Sequence, residues 1–225
     1  MEKARIGAEN AIMCFGESFF KRLRYAMHDK KPMKAPELSG SLKGFVAGNV
    51  AVYLSHIGAP ASAMLYDIMI ASGVKRLLML GMAGAISADC RIGDIVVPQW
   101  GIREEGTSHH YLEPQERAKA SPEMLARIRN HFLRLGIKEG GVWTIDAPYR
   151  ETPEKVKLYS ARGALAVEME CTALMSVAQY RRNSFGAVLV ITDEVRKDGW
   201  EAAFKGEKVK RARRQVCDAA AACFD

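Results

Sequence analysis

Short apolar runs alternate with longer amphipathic stretches along this chain, and that alternation predicts its elements. Residues 11–15 read as a first strand and residues 17–27 as a helix. Residues 44–57 predict two strands around Gly48-Asn49, a pair suited to a tight hairpin turn. Helical periodicity over 60–72 stops at Gly73, a glycine placed to cap a C-terminus. Residues 77–80 and 95–97 read as buried strands, and the polar stretch 103–120 as a long functional loop. An amphipathic helix is predicted over 122–135, with Pro122 in its first turn and Gly136 closing it. Further strands are expected at 142–145, 165–167 and 187–191, and helices at 153–160, 171–180 and 207–222. Such alternation predicts an α/β protein, a mainly parallel sheet wrapped by helices. No repeat or low-complexity linker divides the 225 residues, so one domain over 1–225 is expected.

Composition narrows the class. With 48% hydrophobic and 26% charged residues the chain can bury an ordinary core. No apolar run approaches the roughly 20 residues of a membrane span. The opening MEKARIGAEN lacks the apolar core of an export signal, so a cytoplasmic protein is expected. The cysteines at 14, 90, 171, 217 and 223 are odd in number and form no CxxC pair. They read as buried free thiols, with neither a disulfide framework nor a metal site. The net charge of +7 owes much to Lys208, Lys210, Arg211, Arg213 and Arg214 at the start of the last helix. Without interleaved aromatics or a finger spacing, they read as a solvated helix face and imply no nucleic acid.

Small residues and carboxylates gather where the strands end. The junctions are Gly16-Glu17-Ser18, Gly58-Ala59-Pro60, Gly81-Met82-Ala83-Gly84, Asp146, Glu168-Met169-Glu170 and Thr192-Asp193-Glu194. Open α/β sheets bind ligands at that edge, although glycines end many strands and carboxylates often cap helices. Glu168 and Glu170 share a face if the strand continues through them; otherwise Glu170 is the N-cap of the following helix. Two such carboxylates suit the vicinal hydroxyls of a ribose. They also favour a transition state in which the sugar gains positive charge. Asp193, read as opening another helix, is either a cap or a group that protonates or hydrogen-bonds a departing base.

These segments resemble the nucleoside phosphorylase and nucleosidase superfamily. AVEMECTAL (166–174) is similar to its VEMExxA segment, and LGMAGAISADCRIGDIVVP (80–98) to its GTxGAL…VGDxVV segment. IREEGTSHHY (102–111) resembles the loop of uridine-phosphorylase-like members, IGAPASA (57–63) the GIGxPSA turn, and VITDE (190–194) the strand bearing the aspartate of purine-acting members. The resemblance implies a single-domain three-layer α/β/α fold with a mixed, mainly parallel sheet, assembled as a homodimer or homohexamer. It implies a pentosyltransferase with no cofactor and inorganic phosphate as co-substrate. It further implies that Glu168, Met169 and Glu170 hold the ribose and that Glu170 and Asp193 serve catalysis. Asp146, Pro148 and Tyr149 would line the base pocket.

The departures concern phosphate. Where the family carries a GDPxR turn, this chain has Gly16-Glu17-Ser18-Phe19-Phe20, with Phe20 in place of arginine. Met79 stands at a second arginine position and Met82 at a Ser/Thr position. Methionine cannot offer arginine's bidentate fork. The candidate phosphate or nucleophile region is therefore Gly16, Glu17, Gly81, Met82 and Arg103, with Lys21, Arg22 and Arg150 as further stand-ins. His56 replaces a glycine of the GIG turn, as a functional group or a structural contact. The first expectation is phosphorolysis of a ribonucleoside, purine favoured and uridine open. The rivals are hydrolysis with Glu17 as base, and a nucleoside-binding protein without turnover.

Overall fold

The period-two pattern of the apolar runs becomes a division into two cores. In the computed structural model, which describes residues 7–28, 30–32, 43–196 and 199–224, strand β1 (Asn10–Cys14) turns Ala11 and Met13 to one face and Ile12 and Cys14 to the other. β4 (Val50–Leu54) and β5 (Arg76–Ala85) flank it in parallel and divide their side chains the same way. One face packs under α2 (Ala59–Ala71) and α5 (Cys171–Arg181). The other packs under α1 (Glu17–Ala26), α3 (Pro122–Phe132) and α6 (Glu207–Ala221). A third, smaller cluster joins α4 (Pro153–Ala161) to Trp143, Ile145 and Val167.

The sheet is mixed. β2 (Lys30–Pro32) and β3 (Lys43–Ala47) form its antiparallel edge, with the expected turn at Gly48-Asn49 and Gly48 at φ +55°. At the other end β5 pairs with both β9 (Ala164–Glu168) and β10 (Ser184–Arg196). The circuit runs on through β6 (Ile95–Arg103) and β8 (Lys138–Thr144), so β5, β10, β6, β8 and β9 close into a ring. β7 (Ala118–Lys119) and β11 (Gly199–Ala202) hang from β6 and β10.

Two expectations are corrected. β5 does not stop at Leu80: Gly81 to Gly84, read as a turn, remain strand because β10 pairs along them. Likewise Asp193 opens no helix. It continues β10 beyond a bulge at Thr192 and pairs with Ala202 of β11. All five cysteines are buried and free. Among the described residues no helix is long and apolar enough to cross a membrane. The opening residues 1–6, read against an export signal, lie outside those described.

Candidate active site

β9 ends at Glu168 and α5 begins at Cys171, so Glu168 and Glu170 bracket a short turn. The strand does not continue through both acids. Glu168 is the one that caps α5, its Oε2 accepting the amides of Glu170 and Cys171 at 2.8 Å each. Its Oε1 accepts the Thr144 hydroxyl at 2.5 Å. Both oxygens are thus engaged within the protein, and Glu168 is the post that shapes the turn. Burial pushes its carboxyl above the usual range. The network extends outward: Thr172 donates to Glu105 Oε1 at 2.8 Å, and Glu105 Oε2 accepts the Ser108 amide at 2.9 Å. The 104–117 loop is fastened to the head of α5 by these bonds.

Glu170 stands at the N-cap position of α5, yet its side chain does not cap that helix. Instead Oε1 accepts the Gly58 amide at 2.6 Å. Gly58, at φ +105°, lies between β4 and α2 in a backbone region that favours glycine. One hydrogen bond therefore joins two strand ends 112 residues apart in sequence. Burial, with the Glu168 charge beside it, pushes the Glu170 carboxyl up to about 8. Met169 stays half-buried between the two buried acids.

Asp193 stands away from that pair. Its strand neighbour is Gly84, whose other neighbour is Val167, so Asp193 lies two strands across from β9. Its Oδ1 accepts the Thr192 hydroxyl and its Oδ2 the Trp200 indole N–H, each at 2.8 Å. The carboxylate lies against Gly84, where an added Cβ would meet Oδ2 at 2.9 Å. In the loop before α4, burial, with the Asp193 charge adding, pushes the Glu151 carboxyl up to about 7. The expected base-pocket residues do less. Asp146 accepts the Gly106 amide at 2.9 Å, Pro148 is exposed, and Tyr149 is wholly exposed. Glu151, unlike the wholly exposed Tyr149, is partly buried in this loop.

The third corner holds Gly16, at φ +125°, and Met82; a Cβ on Gly16 would lie 3.6 Å from Met82 Cε. Gly81 is sealed between Met79 and Leu189. Met79 itself is fully buried, its sulfur 3.6 Å from Cys171 Sγ. Three of the proposed stand-ins, Arg103, Arg22 and Lys21, are committed elsewhere. Arg103 donates to Ser108 Oγ and to the carbonyls of Leu112, Glu113 and Glu116, organising its own loop. It lines a separate surface cleft of about 320 Å³ with Trp100, His109 and Arg117. Arg22 pairs with Asp218 and Lys21 with Glu17, while Arg150 and His56 are exposed. Glu17 is bound by Lys21 and Lys43, which hold its carboxyl down at about 2. A carboxylate so acidic is a poor general base near neutrality.

One cation does reach this corner. Arg213 of α6 is half-buried, its Nη2 3.6 Å from Met82 Sδ and 3.4 Å from the Phe204 carbonyl. The guanidinium sits over the Phe19 ring, 5.5 Å from its centre. Its neighbours Lys208, Lys210, Arg211 and Arg214 are exposed, as a solvated helix face requires.

Comparison with known proteins places this geometry. The sequence pattern of the Phosphorylase superfamily matches residues 29–225. The chain belongs to that superfamily. A DeoD-type purine nucleoside phosphorylase of Bacillus cytotoxicus is 30% identical over 183 residues, 79% of this chain and 73% of that protein. A Bacillus cereus protein of the same description is 29% identical over the same shares. Among solved structures, purine nucleoside phosphorylase from Toxoplasma gondii in complex with immucillin-H superposes with a TM-score of 0.87. It is 17% identical and is matched over 99% of this chain and 92% of its own. Uridine phosphorylase from Vibrio fischeri gives 0.80 at 20% identity, over 96% and 90%. The three-layer α/β/α architecture with a mixed sheet is the superfamily's.

Within the superfamily fold, sequence reasoning missed Thr144, Glu105, Glu151, Trp200 and Arg213. Of these only Arg213 carried a legible signal. It lies four residues after Val209 and four before Cys217, both buried, so helical phase alone sets it beside the apolar stripe of α6.

Proposed function

We propose that this protein is a nucleoside phosphorylase, cleaving the N-glycosidic bond of a ribonucleoside with inorganic phosphate to give free base and ribose 1-phosphate. The observation that carries the reading is the 2.6 Å bond from the Gly58 amide to Glu170. It pins a buried carboxylate at the meeting point of two segments the family uses around its sugar. In this reading Glu170 accepts a ribose hydroxyl, Met169 packs against the sugar, and Glu168 fixes the turn that holds both. Asp193, oriented by Thr192 and Trp200, meets the departing base, and Glu151 is the group positioned to share a proton with it. Asp146 and Pro148 shape the loop above the base. A carboxylic acid beside a leaving purine nitrogen favours purines, so purine is the preferred class and uridine the second. Assembly as a homodimer or homohexamer belongs to the same proposal, and sedimentation measures it.

A second reading, hydrolysis, draws support from Phe20, Met79 and Met82, which stand where phosphate-binding groups are expected. One assay separates the two. The purified protein is incubated with purine and pyrimidine nucleosides, with and without phosphate, and base release is followed. Release that requires phosphate and yields ribose 1-phosphate supports phosphorolysis. Equal release in its absence means water is the nucleophile, and binding without release leaves only a nucleoside receptor.

A further inference from the structure

We propose that Arg213, carried by the last helix, is the group that binds the phosphate oxyanion, in place of the two arginines this chain lacks. The proposal rests on the phosphorolytic reading above, and it assigns that reading's missing cation.

Four observations converge on it. The Arg213 guanidinium reaches the Met82 sulfur, and Met82 in turn reaches the open face of Gly16. The cation therefore enters the corner formed by the β1–α1 turn and β5, where an oxyanion would lie against the sugar's anomeric face. Second, Arg213 is under-used. Its Nε is buried with no acceptor. Its only acceptors among the described residues are a thioether and one carbonyl at 3.4 Å. Third, no carboxylate lies within salt-bridge distance of it among the described residues, whereas Arg22, Arg76, Arg129, Arg181 and Arg196 each have one. A half-buried guanidinium without an anion is costly to maintain, and burial here lowers its hold on the proton. A bound oxyanion would relieve that cost with a paired fork of hydrogen bonds. Fourth, the cations nearest the β1–α1 turn are engaged: Arg22 faces Asp218, and Lys21 and Lys43 serve Glu17, while Arg103 is saturated by its own loop and Arg150 is exposed in the loop before α4.

Met79 explains why the cation comes from α6. Its site is packed against Cys171 and the Gly81 backbone, with no room for a charged fork. Met82, shorter in polar reach but flexible, faces the layer of α6 and leaves space at its sulfur for a side chain from that helix. The cation is supplied from beneath the sheet rather than from the strand itself.

Binding of inorganic phosphate is measured by calorimetry on the full chain, beside kinetics in which phosphate and nucleoside are varied separately. Arg213→Gln is expected to weaken phosphate binding and raise the phosphate KM at least about tenfold, or 1.4 kcal/mol. Nucleoside KM should change less than about twofold. Arg213→Lys keeps the charge without the fork and should fall between. Arg214→Gln removes the same charge from the exposed face and should change neither constant. Thermal melts of each variant separate lost binding from lost folding. Phosphate affinity unchanged in Arg213→Gln, or a wild-type protein that binds no phosphate, overturns the assignment. Wild-type protein that binds phosphate through Arg213 yet releases base equally without it would sink phosphorolysis and leave the anion site standing.

Discussion

Around Glu170 each acid is held by backbone amides or hydroxyls that the fold itself puts in place, while around Met82 the single cation is held by almost nothing. Glu168 has three donors and Glu170 has the Gly58 amide. Arg213 has a sulfur, one distant carbonyl and a buried Nε with no acceptor. On the reading proposed above, the contrast teaches that the fold itself holds the sugar end in shape. The anion end is finished only by its ligand. A preorganised acid cluster spends no free energy on reorganisation during reaction. An oxyanion bound at Arg213 would add to the stability of the folded chain by mass action.

The largest test asks whether the anion end is rebuilt or merely lacks a residue. Met79→Arg restores the family's residue type but buries a charge against Cys171, and should cost about 3–5 kcal/mol. A fall in Tm of at least about 6 °C is expected for a chain of this size. A variant that melts normally and binds phosphate more tightly would show the corner to be vacant rather than rebuilt. At the other end, Asp193→Asn should lower kcat on a purine nucleoside about a hundredfold, near 2.7 kcal/mol, with phosphate KM unmoved. An equal loss in phosphate affinity would dissolve the division into two ends.

Glu170→Gln should lower kcat/KM at least about tenfold, roughly 1.4 kcal/mol. The same variant sharpens the electrostatic side. The Glu170 carboxyl is raised to about 8 by burial and by Glu168, so the native state retains a proton that the unfolded chain releases above its ordinary value. That contribution is full at low pH and is lost as pH rises through about 8. Wild-type Tm should therefore fall more steeply between roughly pH 5 and 8 than that of Glu170→Gln. Parallel curves would show that Glu170 does not titrate in that window. The smallest effect is expected for Trp200→Phe, which removes one donor from Asp193: about threefold in kcat, well under 1 kcal/mol, because the indole is largely exposed.

Much of this was legible in the sequence, and the illegible part has a common cause. The turn at Gly48-Asn49, the helix between Pro122 and Gly136, and the α5 head at Cys171 follow from local chemistry and appear where expected. The strand character of Gly81 to Ala85 and of Asp193 to Arg196 did not, because glycines and charged residues become strand only when paired on both sides. Asp193 looked like a helix start for the same reason: β11, which holds it, has too weak a pattern to be seen. The acidic segment 168–170 could be located, but not the division of labour within it. That Glu168 caps and Glu170 reaches across to Gly58 depends on where β4 ends in space. Arg213 was hidden among like charges, although its phase on α6 distinguished it.

The closed circuit of β5, β10, β6, β8 and β9 bears on how such a protein changes its tastes. A circuit with no free edge resists slippage, since sliding one strand demands matching slides all the way round. The segment 146–152 before α4 lies outside the strands of that circuit, whereas the β10–β11 arm is tied to it through the pairing of Asp193 with Gly84. On the reading proposed above, base preference can change along 146–152 while the acids of the 168–170 turn keep their places.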